Sequence, residues 1–446
     1  MSALFAVYYA GALVLVAAEL LGVGGGLFSR ARRRLPDASS SATPYVAALV
    51  LSYAAQLALV WYAATHQSVL AIQPWRLTLP LGVVTRYMEH PDGVSAAMLA
   101  LSAAQCVLLW AIYRRNLSDT VLAVAVATTL VLSFIVPALI SFDPYSYAAD
   151  AYLGRAAYVA PSAALPGEYR VVSEAFSYGV VPPAPYGPLW LLIARGVTAW
   201  TPTMLSKLLA FRAFGAICLF ATVAAMARLG LPRRLRIVTL LNPGLALLYV
   251  MNAHNDLCAV ALIAWAAVWA FRRPFVALGF IVAAALIKLP FAILALPVLR
   301  PISSPRLRAV CAAVALAAAL GLSWAMGGKE YFSALAVHVP NVSVGNGLNV
   351  AAALAALALL VAAASGFRRV RSAVWLMPMM GSYPTPWYFL WGFGYALGRH
   401  RLLAYLLVLF PLASLLVDST FIQIWTLLVV VPLLVLLQIL AFKPTR

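Results

Sequence analysis

An all-α fold, a polytopic bundle of about 13–15 transmembrane helices with half-helices included, is what three features of the sequence predict. Of 446 residues, 65% are hydrophobic and only 10% are charged, far from the composition of a water-soluble domain. Apolar runs at 4–27, 45–64, 121–140, 310–326 and 425–442 approach or reach the roughly 20 residues a helix needs to cross hydrocarbon. Between such runs the basic residues fall in short clusters, so the net charge of +19 is a topology signal, and no nucleic-acid partner is expected.

Taken in order, 4–27 reads as a retained first helix, because no basic region precedes it as in a signal peptide. Clusters at 30–34, 114–115, 228–236, 272–273, 300–308, 368–371, 399–401 and 443–446 mark the cytoplasmic side. Four helices then alternate up to Ser141, which places the N-terminus and the long loop 142–188 outside. The run 189–200 is too short to span, so it is expected as an amphipathic helix along the outer interface, with Met204–Arg228 crossing. Segments 275–299 and 372–398 carry arginines at both ends and must cross an even number of times. Each is expected as two half-helices, broken at Leu289-Pro290 and at Pro384 to Pro386, beside a cavity that opens outward. Residues 1–120 hold helices without a motif, and the residues that could carry chemistry lie in 121–446.

Asp143 is expected at the C-terminal end of a membrane helix, where the macrodipole opposes a negative charge. It is either a general base at the water–lipid boundary or a loop aspartate that stops the helix. Asn252-Ala253-His254-Asn255-Asp256 forms a second polar knot, at an outward turn between 237–250 and 257–271. Asp256 there could simply cap its helix, but His254 and Asn255 exceed what a cap needs. Lys288 and Arg212 lie inside apolar runs; buried cations face a cavity and an anion unless they snorkel, as Lys207 can. With Arg155 and Arg195 they could neutralise a phosphate. Tyr383 to Tyr388 and Trp391 make either an interfacial aromatic belt or a stacking wall for a sugar or isoprenoid. The stretch 327–349, with Lys329, Glu330 and His338, is expected as an outer loop. The four cysteines show no ligand spacing, and no nucleotide-binding or hydrolase motif appears, so no metal and no cofactor are expected.

Ser141-Phe142-Asp143-Pro144-Tyr145-Ser146-Tyr147, Tyr186-Gly187-Pro188-Leu189-Trp190, Asn242-Pro243 followed by His254-Asn255-Asp256, and Pro386-Trp387-Tyr388 together resemble the GT-C membrane glycosyltransferases. They are most similar to the polyprenol-phosphate-mannose-dependent mannosyltransferases of bacterial lipoglycan assembly, α-(1→6) enzymes included. The resemblance runs from about residue 121 to the C-terminus. It implies a polyprenyl-phosphate-linked sugar donor, most simply mannose, a glycan or glycolipid acceptor on the extracytoplasmic face, and a site surrounded by membrane lipids. It makes Asp143 the base that deprotonates the acceptor, with inversion at the sugar. Lys288, Arg212 and His254 would hold the donor phosphate, and Tyr147, Asn255, Asp256, Tyr186, Trp387 and Tyr388 the substrates. No divalent metal is implied. One departure stands out: Gly154-Arg155 leads to Tyr158-Val159-Ala160-Pro161, where the family pattern runs toward Gly and Asn-Pro-Tyr. The competing reading is a transporter or flippase of lipid-linked sugars, since broken half-helices also mark secondary transporters.

Overall fold

The computed structural model describes residues 40–66, 83–84, 94–136, 138–139, 143–159, 183–299 and 302–338, with 165, 166, 169, 358 and 390 beside them. The expected helices at 4–27 and 425–442, the break at Pro384 to Pro386, and Trp387 and Tyr388 lie outside these residues. What is described is an all-α helical membrane bundle. Its helices Thr43–Tyr62, Met204–Arg228 and Pro305–Ala336 are long and apolar enough to cross a bilayer.

Helices α1 (Thr43–His66), α2 (Val94–Tyr113) and α3 (Asp119–Ile135) pack together. Neutral polar pairs join them: Gln105 Nε2 donates to Gln56 Oε1 at 3.1 Å, and the Tyr53 and Ser133 hydroxyls are 2.8 Å apart. Such bonds hold helices together where lipid supplies no hydrophobic drive. Two-residue strands, β1 (Val83–Val84) and β2 (Ala138–Leu139), pair in parallel. The expected span 121–140 therefore stops early, at Ile135. Pro137 is the reason: it forces Val136 into the extended region, φ −74° and ψ 120°, and so ends the helix.

α4 (Asp143–Leu153) follows, then a 3-10 turn, Gly154–Val159. The run 189–200 forms the short helix α5 (Pro188–Thr198), which buries Trp190, Leu191 and Ala194 while Leu192 and Arg195 point outward. At 11 residues it is about 16 Å long, half a bilayer core. α6 (Met204–Arg228) begins at a Thr203/Ser206 capping box, as the sequence places it.

The helix expected over 237–250 is instead two pieces. α7 (Arg233–Leu240) bends by 47° into Pro243–Met251. Pro243 cannot continue a helix, and Asn242 Oδ1 accepts from the N–H groups of Gly244 and Leu245, capping a new start. That second piece is wound as a π-helix over Ala246–Met251, a form often found beside functional sites. After the turn 252–255 come α8 (Asp256–Trp269) and α9 (Pro274–Ile287), packed against each other.

The break expected within 275–299 is present. α9 ends at Lys288, whose backbone is extended at φ −145° and ψ 116°. A 3-10 segment, Leu289–Leu294, and the short α10 (Ala295–Val298) follow, because Pro290 lacks an N–H and its ring would strike the carbonyl four residues back. Finally α11 (Pro305–His338) overturns the outer loop expected from residue 327. Gly328, at φ 66° and ψ −168°, is a non-helical kink between two helical stretches, and Lys329, Glu330 and His338 lie in the second of them.

Candidate active site

Sequence reasoning set Asp143 at a helix C-terminus; the structure reverses this. α3 has already ended, and Asp143 occupies the first turn of α4, where the positive end of the dipole stabilises a carboxylate. Two hydrogen bonds from described residues reach its Oδ2. His254 Nδ1 lies 2.9 Å away, and the Tyr147 hydroxyl donates at 3.3 Å from one turn further along α4. The His254 side chain is fully buried and that of Asp143 is 16% exposed. Burial alone would raise the Asp143 carboxyl. The His254 ring, by charge and hydrogen bond, then the Lys288 ammonium and the Tyr147 hydroxyl outweigh it and hold Asp143 below the usual carboxylate range.

His254 reaches Asp143 because its turn is strained. Ala253 sits at φ 49°, a left-handed conformation that costs a residue with a β-carbon about 1–2 kcal/mol. The π-helix anchors the turn: Asn252 donates to the Leu247 carbonyl from both backbone and side chain, and His254 N–H reaches the Leu248 carbonyl. The N–H of Asn255 donates to the Tyr147 hydroxyl at 3.3 Å. The Asn255 amide is itself buried, and both its oxygen and its nitrogen lack a hydrogen-bond partner among the described residues.

Asp256 opens α8 and is fully buried, and Lys288 Nζ lies 2.7 Å from its Oδ1. The break after α9 is what turns Lys288 toward α8. A close approach fixes that break: Gly187 N–H donates to the Ile287 carbonyl at 2.8 Å, and a β-carbon on Gly187 would lie 2.1 Å from the Leu286 oxygen. Only glycine fits there. The neighbouring Tyr186 ring lies 5.9 Å from Lys288 Nζ and meets Tyr147 edge-on, with centroids 4.9 Å apart. Trp190 and Phe211 pack on the same Tyr147 ring.

Asp143, Tyr147, Tyr186, His254, Asn255, Asp256 and Lys288 thus converge through direct contacts. Arg212 bonds differently. Its Nε donates to the Met251 carbonyl at 2.9 Å, and its Nη1 to those of Phe134 and Val136 at 2.9 and 3.0 Å. It ties the end of α3 to the end of the π-helix. Arg155 pairs with Glu330 at the α11 kink, 2.8 Å apart, Arg195 is exposed on α5, and Lys207 binds the Thr201 carbonyl.

The sequence reading passed over Asp150, which is 4% exposed. Burial first, and the Asp143 charge second, push its carboxyl well above the usual range. Its spacing from Asp143 was the available signal, since positions i and i+7 share a helix face.

The segment that carries this cluster has relatives. A family described as Alpha-(1->6)-mannopyranosyltransferase, N-terminal domain, matches residues 49–304, more than half of the chain. The chain belongs to this family. No curated protein and no solved structure matches it. Membership in the α-(1→6)-mannopyranosyltransferases makes the chain a glycosyltransferase of the mannosyltransferase kind, and every residue from Asp143 to Lys288 named above falls within the matched segment. In a mannopyranosyltransferase a carboxylate held ionised can take a proton from a sugar hydroxyl, and a buried ammonium nearby can balance an anionic leaving group.

Proposed function

We propose that this protein transfers mannose from a polyprenyl-phosphate-linked donor to a glycan or glycolipid acceptor on the extracytoplasmic face of the membrane, with inversion. Asp143 takes the proton of the acceptor hydroxyl. The acceptor oxygen bonds to the anomeric carbon as the bond from that carbon to the phosphate oxygen breaks, and polyprenyl phosphate departs with the electron pair. With inversion, an α-linked product calls for a β-linked donor. The leaving phosphate needs positive charge more than a proton, and Lys288 supplies it, with His254 beside it. Arg212 serves this site by fixing the π-helix that carries the histidine turn. Tyr147, Tyr186, Asn255 and Asp256 orient the substrates, and Trp387 and Tyr388 add a stacking surface for sugar or isoprenoid. The short helix α5 lies along the outer interface, which lets the donor's lipid tail remain in the bilayer.

One observation carries this reading: the contact of Asp143 with His254, 2.9 Å, beside the pair of Lys288 and Asp256, 2.7 Å, in a chain of a mannosyltransferase family. The test uses purified protein in lipid, labelled polyprenyl-phosphate mannose and an alkyl α-(1→6)-dimannoside acceptor. Wild type transfers the label, and Asp143→Asn is slower by about a hundredfold or more. Equal rates would remove Asp143 as the base. Passage of the donor across the bilayer without transfer would replace this reading with transport.

A further inference from the structure

Gly215 is buried on α6, one turn after Arg212 and on the same face. A β-carbon there would lie 2.3 Å from the Tyr249 carbonyl oxygen, with the Tyr249 carbonyl carbon and the Val250 Cα both at 3.3 Å. All three are main-chain atoms in the middle of the π-helix. That segment is fully buried, so no flexible side chain can swing aside to make room. α6 and the π-helix approach as closely as they do because position 215 carries no side chain. This is a packing contact, separate from the hydrogen bonds of Arg212 to the Met251, Phe134 and Val136 carbonyls. Cutting those bonds adds no atom and leaves the contact at Gly215 in place.

The π-helix passes its position on to His254. The Asn252 N–H and Nδ2 both donate to the Leu247 carbonyl, at 3.1 and 2.7 Å, and the His254 N–H donates to the Leu248 carbonyl at 3.4 Å. The Tyr249 ring meets the His254 ring edge-on, with centroids 6.5 Å apart. Leu247, Leu248 and Tyr249 thus hold the turn that brings His254 Nδ1 within 2.9 Å of Asp143 Oδ2. We propose, on the transfer reading above, that Gly215 is a positioning residue: the space it leaves seats the π-helix against α6 where His254 can hold Asp143. A methyl group at 215 pushes the Tyr249 carbonyl back by about 1 Å before ordinary contact is restored. A displacement of that order at the histidine takes a 2.9 Å bond beyond hydrogen-bonding range.

The groups that face Asp143 are His254 from the turn, Lys288 from the end of α9, and Tyr147 and Asp150 from α4 itself. Of those that lower its carboxyl, His254 acts most strongly. The test follows the titration of Asp143 in the purified full chain in lipid, as the infrared carboxyl band that Asp143→Asn deletes, together with transfer per folded molecule. Gly215→Ala is expected to titrate Asp143 at higher pH than wild type and to slow transfer by about tenfold or more. Gly279→Ala, whose β-carbon meets nothing within 4 Å, leaves both unchanged. In His254→Phe the titration already lies higher, and adding Gly215→Ala moves it no further. Asn252→Ala cuts the side-chain tie to the π-helix without adding an atom, moves the titration the same way by less, and decides the matter should Gly215→Ala not fold. An unmoved titration in folded Gly215→Ala, or in Asn252→Ala, overturns the proposal, as does an equal movement with and without His254. Failure of the transfer reading shows separately, as Asp143→Asn with undiminished transfer, and the titrations stand apart from it.

Discussion

Arg212 and Lys288 look alike in the sequence, each a cation within an apolar run, yet the structure puts them to different uses. The guanidinium of Arg212 meets three main-chain carbonyls at 2.9–3.0 Å, at the places where α3 and the π-helix end and carbonyls lack helical partners. The ammonium of Lys288 meets the Asp256 carboxylate at 2.7 Å, at the point where its own helix breaks. Shape explains the division. A planar guanidinium has five donors to spread over several carbonyls, whereas an ammonium acts as a compact point charge. Burial of a cation in a membrane helix therefore signals that an anion or a set of carbonyls is near, and backbone geometry decides which.

The largest expected effect separates these two uses. Lys288→Met leaves Asp256 buried without its cation, and should cost about 3–5 kcal/mol in unfolding. Transfer should also drop by about a hundredfold or more. Arg212→Leu should cost a similar amount, since three carbonyls lose buried donors, but the protein that stays folded should keep its rate within a fewfold. The double variant Lys288→Met with Asp256→Leu should regain stability without regaining transfer. Thermal unfolding and the rate per folded molecule read both quantities, and equal rate losses in Lys288→Met and Arg212→Leu would erase the distinction.

Gly187 tests whether the break that presents Lys288 matters as much as the charge. A methyl group there meets the Leu286 oxygen at 2.1 Å and its carbonyl carbon at 2.6 Å, with no flexible side chain to yield. Gly187→Ala should cost about 3 kcal/mol and displace Lys288, so its rate per folded molecule should fall well below that of an Arg212→Leu sample of equal stability.

These contrasts also show where hydropathy stops being informative. α6 was legible almost to the residue, because the charge pattern requires a crossing there and the apolar run ends in the arginine cluster at 228–236. The break near Leu289-Pro290 was legible because proline acts through its own ring. The early end of α3 and the bend at Asn242-Pro243 were not, although both again involve proline, because the apolar pattern runs on through each. Asp143 was placed at the wrong end of a helix, an error that follows directly from missing the stop at Ile135. The partners of the site were least legible of all. Asp143 meets His254, 111 positions away, and no periodicity encodes such a contact. Tyr186 and Lys288 likewise share a site because of one glycine's missing side chain.

A smaller effect concerns pH. Asp143 is held below the usual carboxylate range, so the ionised base persists as pH falls and is lost only when pH passes that lowered value. Lys288 contributes to the lowering. In Lys288→Met the carboxyl rises, and the acid limb of kcat/KM should move to higher pH. Arg212 is not among the groups that set Asp143, so Arg212→Leu should leave that limb where it is. A limb that moves equally in both variants would mean that the two cations act on the base alike.

Tyr147→Phe should give the smallest change, and it asks whether the aromatic platform or the hydroxyl matters. The hydroxyl stands 3.3 Å from Asp143 Oδ2 and 3.3 Å from the Asn255 N–H, both long contacts, while the ring is held edge-on by Tyr186 and Trp190. Removing only the oxygen keeps that packing and costs about 1 kcal/mol for the amide left unpaired. His254 and Lys288 still hold Asp143 down, and the Tyr147 hydroxyl is the weakest of the influences that lower it. The rate should therefore fall by about three- to tenfold, with a slight movement of the acid limb to higher pH. A loss as deep as that of Asp143→Asn would instead make the tyrosine hydroxyl part of the proton path, and would shift weight in this site from the charged pair at Lys288 to the α4 face.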